Sequence, residues 1–309
     1  DTVYWHVKAY NHCLVNTTSA TRMLKYFSPN SGDNLICWYS GDSTITSGSN
    51  VAQCFDKSGN NNHLLQTTES NKPSLNFSLL GSPVIDFDGN SDYLRGALVD
   101  TLRSPFSIFM IWAVDESKTQ YAIDGLLNDP TSNISMSDPY LRFQAASYLY
   151  YNRLMPFNFI VTSLISNGSD SEISENGTFK ASSNPGSSYY NGITLGASRL
   201  SSSFLNGKIG EVLIFDTVIN DSISAIIESY LYNKYAPPVN LLYDIRVPYG
   251  FCDTAITTAY KPWFTSYEWS TGETDSIIHV NRPGVYSVTV TDIFGFESSD
   301  DIRVFYPQV

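Results

Sequence analysis

The stretch 204-FLNGKIGEVLIFDTVINDSISAIIESYLYNKYA-236 decides the fold, because it joins a strand to the one clear helix of the sequence. Its first half is apolar enough to form a core strand. Asn220 or Asp221 then caps a helix, and the Pro237-Pro238 pair stops it. The helix carries apolar side chains at helical spacing, namely Ile223, Ile226, Ile227, Tyr230 and Leu231. We expect this helix to lie across the edge or end of a β-sandwich.

Short strands are predicted upstream of this stretch. Hydrophobic residues make up 42% of the 309 residues and charged residues 16%, with 21 Tyr and 17 Phe, which suits many strands joined by polar turns. The segment 106-FSIFMIWAVD-115 is continuously apolar and predicts a strand buried on both faces. Asn176-Gly177 lies between alternating segments and predicts a hairpin. Strands at such short spacing favour an antiparallel, all-β sandwich or jelly roll.

The pattern divides the chain into three parts. Residues 1–32 are predicted to be an amino-terminal extension, with a short helix in 19-SATRMLKYF-27. Residues 33–236 are the predicted jelly-roll domain, and the proline pair marks its end. Residues 239–309 alternate as strands do and predict a small immunoglobulin-like β-sandwich. Its predicted core residues are Trp269, Ile278, Val280, Tyr286, Val288 and Val290.

Charge and hydropathy exclude several function classes. The net charge of −12 and the pI near 4.6 argue against a nucleic-acid partner, which needs clustered Lys and Arg. The extension differs, because Asp1 stands against Lys8, Arg22 and Lys25, a net charge of about +2. We expect it to dock on the acidic body or on a neighbouring subunit. No apolar run approaches the roughly 18 residues that cross a bilayer, so membrane insertion is not expected.

The first residue is Asp, and no charged leader precedes an apolar segment, which favours a mature, processed chain or one without its targeting segment.

Three stretches resemble the laminin-G-like, or concanavalin-A-like, jelly-roll domains of secreted and virion-surface proteins of the Bacteroidetes and their phages. They are 35-LICWYSGDSTITSGSNVAQCFDKSGNNNHLLQ-66, 83-PVIDFDGNSDYL-94 and the strand and helix of 204–236. Trp38 and Tyr39 match the family, whereas Cys54 stands where a Trp is common. The tail resembles an immunoglobulin-like repeat of bacterial surface proteins through 267-YEWSTGET-274 and 284-GVYSVTVTD-292. The resemblance implies a concanavalin-A-like jelly-roll sandwich with one terminal helix, followed by a small immunoglobulin-like sandwich.

The sequence leaves two alternatives for one pair of cysteines. Cys37 and Cys54 lie in consecutive predicted strands and form either a disulfide or two buried free thiols. None of the four cysteines has the spacing of a zinc site. The segment 55-FDKSGNNNHLLQ-66 is predicted to be a turn in which Asp56 and Ser58 accept backbone N–H groups.

The loop after the strand 84–88 also admits alternatives. Asp88, Asn90 and Asp92 are either turn-capping side chains or hard oxygen ligands for calcium, the one metal that the sequence suggests. With Asp86, these carboxylates could also form the acid pair of a glycosidase. No catalytic motif, nucleotide-binding motif or cofactor signature accompanies them. Glu211, within a predicted core strand, is interpreted as a buried structural carboxylate or a ligand contact.

The binding candidates cluster in 140-YLRFQAASYLYYNRLMPFNF-159. Sugars are held by aromatic faces together with a few planar hydrogen-bonding side chains. The candidate ligand-binding residues are Tyr148, Tyr150, Tyr151, Asn152, Arg153 and, elsewhere in the chain, Trp263. The alternative for these aromatic residues is packing within the core or between subunits.

The sequence therefore predicts a non-enzymatic extracellular or cell-surface binding or adhesion protein that binds carbohydrate through its jelly-roll domain. Its expected partner is a glycan or a cell-surface protein. The alternative is a virion structural protein that contacts other virion subunits. A lesser alternative is a polysaccharide-degrading enzyme.

Overall fold

The computed structural model describes residues 34–153, 158–248 and 253–307, together with the backbone of four short strands in the amino-terminal segment. These strands are β1 (Thr2–Trp5), β2 (Lys8–Tyr10), β3 (Asn16–Thr18) and β4 (Arg22–Lys25). β1 pairs with β4 and β2 with β3, both antiparallel. The predicted short helix in 19–27 is therefore wrong for residues 22–25. A helix of about nine residues is marginal by itself, and pairing with β1 satisfies the same backbone groups.

In its described residues, the main body contains 17 strands and one α-helix, α1, which spans Asp221–Tyr235. Short 3₁₀ turns occupy Glu69–Asn71 and Gly168–Asp170. The strands are β5 (Leu35–Ser40), β6 (Thr44–Ser47), β7 (Asn50–Cys54), β8 (Leu64–Leu65), β9 (Ser74–Asn76), β10 (Val84–Asp88), β11 (Leu94–Arg103), β12 (Phe106–Val114), β13 (Gln120–Asp124), β14 (Asn133–Ser137), β15 (Tyr140–Gln144), β16 (Tyr148–Asn152), β17 (Ile160–Ser166), β18 (Ser171–Glu175), β19 (Thr178–Ser183), β20 (Tyr189–Leu195) and β21 (Asn206–Phe215).

The strand pairings arrange this body as two sheets that are joined at one edge, because β9 pairs with β10 of the first and with β7 of the second. In the first sheet, β21 pairs with β12 on one edge and with β5 and β10 on the other, and β12 leads through β17 and β18 to β19. The second sheet runs in the order β7, β8, β11, β20, β13, β14, β15, β16. All of these pairs are antiparallel. The all-β, jelly-roll-like sandwich predicted from the sequence is confirmed.

One core fills the space between the two sheets, because alternate residues of facing strands point into it. Ile108, Met110 and Trp112 of β12 meet Ile134 and Phe143 of the second sheet there. Every residue of β12 is buried, which confirms the prediction of a strand covered on both faces. The Asn176-Gly177 hairpin also forms, since Glu175 pairs with Thr178 and both turn residues have positive φ angles.

The helix covers the outer face of the first sheet. The Asn220 side chain accepts a hydrogen bond from the Ile223 N–H at 3.1 Å, which caps the first turn. Leu231 and Tyr235 of α1 pack with sheet residues such as Phe109 in a second apolar cluster. Trp263 and Phe294 from the tail join this cluster, so the tail packs on the same side of the sandwich.

The tail forms two small sheets around a third core. Its strands are β22 (Ile245–Arg246), β23 (Thr254–Thr257), β24 (Phe264–Trp269), β25 (Ile277–Val280), β26 (Gly284–Asp292) and β27 (Glu297–Phe305). One sheet has the order β22, β27, β26, β24, and the other pairs β23 with β25. The six predicted core residues lie in or against the core, with Tyr286 only partly buried. The immunoglobulin-like assignment and the domain boundaries stay predictions.

The asparagine-rich turn is organised by one carboxylate. Asp56 accepts hydrogen bonds from the backbone N–H groups of Trp38, Ser58 and Asn62 at 2.9 to 3.1 Å. Gly59 and Asn61 adopt positive φ angles of 92° and 60°, which the reversal of the chain requires. This segment is a turn, as the sequence indicated.

Of the two alternatives for Cys37 and Cys54, the structure has the two buried free thiols and no disulfide between them. The Tyr39 hydroxyl donates to the Cys37 sulfur at 3.3 Å, and the Cys54 thiol donates to the Ser40 carbonyl at 3.7 Å. The strands that carry the two cysteines, β5 and β7, do not pair with each other in the described residues. Burial raises the pKa of each thiol to about 12.

Across the described residues, no helix combines the length and the apolar character that crossing a membrane requires.

Candidate functional site

The candidate site lies on the outer face of the second sheet, on its last two strands, β15 and β16. Their register pairs Arg142 with Tyr150 and Gln144 with Tyr148. Because side chains alternate along a strand, Phe143 and Leu149 enter the core while these residues point outward. Tyr148 and Tyr150 are 45% and 54% exposed. The sheet therefore presents a row of aromatic side chains to solvent.

Four side chains form a pocket of about 220 Å³ on this face: Tyr140, Arg142, Tyr148 and Tyr150. The rings of Tyr140 and Tyr150 meet edge to face, with centroids 5.2 Å apart. The Arg142 guanidinium lies over the Tyr148 ring, 5.6 Å from its centroid. The pocket thus combines three aromatic walls with one positive charge.

The position of Arg142 is set by a chain of buried polar groups. Its Nε donates to the Ser135 hydroxyl at 2.9 Å, and that hydroxyl donates to the Asn133 side chain at 2.9 Å. The Asn133 amide donates to the Gln144 side chain at 3.2 Å. Ser135 and Asn133 are completely buried, so the chain holds the guanidinium from below the surface.

The two terminal nitrogens of Arg142 have no hydrogen-bond partner or ion pair among the residues that the structure describes. Other arginines of this face are used in the structure: Arg95 binds the 198–201 loop, and Arg199 pairs with Asp124. Arg142 therefore directs an unused planar fork of N–H donors into the pocket. Such a fork matches a carboxylate bidentately.

Because side chains alternate between the two faces of β16, the residues predicted to bind ligand do not all lie on the same face. Tyr148 and Tyr150 line the pocket, and Asn152 is exposed on the same face without lining it. Tyr151 and Arg153 point the other way, where the Tyr151 hydroxyl and the Arg153 Nε both donate to the Glu175 carboxylate. Burial, followed by the proximity of Glu175, raises the pKa of Tyr151 above its usual range. These two residues link β16 to β18 and take no part in the pocket.

Trp263 lies outside the pocket as well. Only 9% of it is exposed, it belongs to the cluster beneath α1, and its Nε1 donates to the Pro237 carbonyl at 3.0 Å. Trp263 therefore packs within the core, which is the alternative that the sequence left open for these aromatic residues. Conversely, Arg142 did not emerge from the sequence as a candidate, although the alternation in 140-YLRFQ-144 places it beside Tyr140.

The predicted calcium loop uses its carboxylates within the loop. Asp88 Oδ1 accepts the N–H groups of Asn90, Ser91 and Asp92 at 2.8 to 3.2 Å, and Asp92 Oδ2 accepts the Asp88 N–H at 3.1 Å. Burial opposes ionisation of Asp88, but these N–H groups together hold its pKa below the usual range. This geometry matches the turn alternative. Calcium binding at Asp88, Asn90 and Asp92 stays a prediction.

Within the described ranges, no group of three or more His, Cys, Asp or Glu side chains is placed to hold a metal ion.

Glu211 is a structural carboxylate. It is completely buried and accepts hydrogen bonds from Trp38 Nε1, from the hydroxyls of Tyr230 and Tyr235, and from Lys234 Nζ. The Lys234 ammonium also pairs with Asp42 at 2.8 Å. This cluster attaches α1 to the first sheet and leaves Glu211 no free oxygen for a ligand.

No protein-family model matches the chain. No curated protein matches it either.

Several solved structures are similar. The binding domain of Paraclostridial Mosquitocidal Protein 1 is 14% identical, with a TM-score of 0.52 over 86% of this chain and 65% of that one. The botulinum neurotoxin serotype D ligand binding domain in complex with N-acetylneuraminic acid is 10% identical, with a TM-score of 0.53 over 85% and 72%. The binding domain of botulinum neurotoxin DC in complex with SialylT is 14% identical, with a TM-score of 0.50 over the same shares.

The chain therefore spans slightly less than two thirds of the mosquitocidal protein's domain. At these identities the likeness shows the fold alone, which is all-β.

Proposed function

We propose that this chain is a non-enzymatic binding protein whose second sheet holds carbohydrate in the pocket of Tyr140, Arg142, Tyr148 and Tyr150. The observation that carries the proposal is the Arg142 guanidinium, which is fixed by Ser135 while its terminal nitrogens face an aromatic pocket. Aromatic faces pack against the C–H faces of a sugar ring, and planar donors fix its orientation.

The ligand class follows from the charge of the pocket. Arg142 is the one charged side chain among the four that line it, in a chain of net charge −12. An anionic group is attracted there and a cationic group is not. A sugar that bears a carboxylate satisfies both the aromatic walls and the guanidinium fork. Two similar structures, named as complexes with N-acetylneuraminic acid and SialylT, support an acidic glycan.

The pocket's volume and composition also argue for binding without catalysis. About 220 Å³ is below the roughly 300 to 1,000 Å³ of sites that enclose drug-sized ligands, so one sugar unit at the end of a glycan fits best. Hydrolysis of a glycosidic bond uses two carboxyl groups, and none of the four lining side chains is acidic. The similar structures, which are named as binding domains, support the same interpretation.

A glycan ligand agrees with action outside the cell, at a cell surface or on a virion, which we propose as its location. A host glycan or a cell-surface glycoprotein is then the partner.

A glycan array tests the proposal. The wild-type protein is expected to bind glycans with a terminal carboxylate sugar, and Tyr150→Ala is expected to lose most of this signal. Tyr243→Ala is the matched control, because Tyr243 is 84% exposed and lies in the tail, away from the pocket. Binding that survives Tyr150→Ala, or an array without any bound glycan, would overturn the proposal.

A further inference from the structure

A second cavity, of about 500 Å³, lies where α1, the β18–β19 hairpin and the tail meet. The helix contributes Glu228 and Tyr232, the hairpin contributes Gly177, and the tail contributes Phe264 and Phe296. The cavity continues along α1 into another of about 370 Å³, which shares Gly177 and Glu228 with it. A volume of about 500 Å³ falls within the range of small-molecule sites, roughly 300 to 1,000 Å³.

The charge of this joint cavity has one sign. None of the described side chains that line it is a Lys, Arg or His. The acidic side chains that line it are Glu172, Asp221, Glu228, Asp292 and Glu297. Low-dielectric walls lined by one sign of charge concentrate ions of the opposite sign.

Glu228 lacks the countercharge that the other enclosed glutamates have. Glu211 pairs with Lys234, and Glu175 pairs with Arg153. Glu228 is only 7% exposed, yet it makes no ion pair within the described part of the chain. Its Oε2 lies 3.2 Å from the position that a Cβ on Gly177 would take. The carboxylate is therefore beside a hairpin residue that lines the cavity. Burial raises its pKa, and a hydrogen bond from Ser163 only partly offsets this.

Tyr232 adds an unused polar group and an aromatic wall. Its ring packs on Phe294 and Phe296, with centroids 5.0 and 4.6 Å away. Its hydroxyl is buried, and no hydrogen-bond partner for it lies among the residues that the structure describes. A buried hydroxyl of this kind costs free energy unless a ligand or a water satisfies it. Burial, and then the charge of Glu228, raises the pKa of Tyr232, so the hydroxyl stays protonated.

These observations specify an organic cation and disfavour a metal ion. Among the described residues, the cavity's carboxylates are too dispersed to form a three-ligand metal group. Aromatic faces beside dispersed carboxylates suit alkylammonium groups, which make cation–π contacts as well as ion pairs. We propose that this cavity binds a small linear amine, with one ammonium group between Glu228 and Tyr232. The site is separate from the glycan pocket and does not depend on it.

Isothermal titration calorimetry with 1,5-diaminopentane and spermidine tests the proposal, with 1,5-pentanediol as the uncharged counterpart. Both amines are expected to bind the full chain and the diol is not. Glu228→Gln keeps the shape of the side chain and removes its charge, and is expected to weaken amine binding about tenfold or more. Glu268→Gln, an exposed position in the tail, is the matched control and is expected to bind as the wild type does.

The outcomes separate cleanly. Unchanged amine affinity in Glu228→Gln, equal binding of the diol, or no binding of either amine at millimolar concentration overturns the proposal. Tyr232→Phe keeps the ring packing and removes only the unpaired hydroxyl, so it serves if Glu228→Gln does not fold. It is expected to weaken amine binding several-fold, and unchanged affinity in a folded Tyr232→Phe chain contradicts the site.

Discussion

The guanidinium of Arg142 is anchored to the hydroxyl of Ser135, which lies 2.9 Å from its Nε on the neighbouring strand. The bond uses the inner nitrogen of the guanidinium and leaves the two outer ones for a ligand. It also joins a buried position, Ser135, to an exposed aromatic pocket. In the proposed site, Ser135 is therefore a positioning residue, and Arg142 is the residue that would contact the glycan.

Ser135→Ala is expected to weaken the binding of an acidic glycan by about three- to tenfold, because Arg142 loses its anchor. The free energy of unfolding should fall by about 1 to 3 kcal/mol, because the substitution also leaves the buried Asn133 side-chain oxygen without its donor. The affinity for the acidic glycan is measured beside that for its neutral counterpart. A purely structural role for Ser135 would weaken both affinities equally, which would contradict this prediction.

Glu211→Ala is expected to lower the free energy of unfolding by about 3 to 5 kcal/mol, since it leaves the Lys234 ammonium and the Trp38 N–H without their buried acceptor. Urea denaturation measures the change. Glu268→Ala removes an exposed glutamate and should change stability by no more than about 0.5 kcal/mol. A loss below about 1 kcal/mol in Glu211→Ala would show that the cluster does not fasten α1 to the sheet.

The pH dependence of stability should contain a contribution from Asp92. Burial, and then repulsion by Asp88, raises the pKa of Asp92 to about 6. The pKa of an Asp carboxyl in the unfolded chain is about 3.9, so the folded chain holds this proton more tightly than the unfolded chain does. The free energy of unfolding therefore falls as the pH rises from about 4 to 6. Asp92→Asn removes this ionisation.

The stability of Asp92→Asn relative to the wild type should therefore increase by about 1 to 2 kcal/mol between pH 4 and pH 7, allowing for solvent screening. Urea unfolding of both proteins at the two pH values measures the difference. A difference that is the same at both values would mean that Asp92 titrates normally.

Cys37 and Cys54 should resist alkylation in the folded protein, because both thiols are buried and burial raises the pKa of each to about 12. Iodoacetamide labelling at pH 8, followed by peptide mass spectrometry, reports each site separately. Both cysteines should label only after urea is added. A peptide pair linked through Cys37 and Cys54 in the unreduced protein would contradict the structure.

Local sequence patterns were sufficient to predict the strand that is buried on both faces and the helix that has clear capping and stop signals. The apolar run of 106–114 is covered on both faces, so no alternation was needed to identify it as a strand. The cap at Asn220 and the proline pair after 236 bound the helix within one residue. The segment 22–25 was predicted wrongly, because its partner in β1 is distant in sequence and local propensity does not contain that pairing.

The pocket could be predicted only in part. The density of tyrosines in 148–151 is visible in the sequence, but the face that each occupies depends on register. Arg142 joins Tyr148 and Tyr150 only through the β15–β16 pairing, and Tyr151 leaves them through the same alternation. The cavity beside Glu228 could not be predicted, because three segments distant in sequence form it.

The most direct test of the carbohydrate pocket is a calorimetric titration of one acidic glycan and its neutral counterpart, against the wild type and against Arg142→Gln. The glycan is one that the array identifies, and the counterpart carries an amide in place of the carboxylate. We expect the wild type to bind the acidic glycan about tenfold or more tightly than the neutral counterpart, and Arg142→Gln to show no such preference. Equal preference for the acidic glycan in both proteins would contradict it.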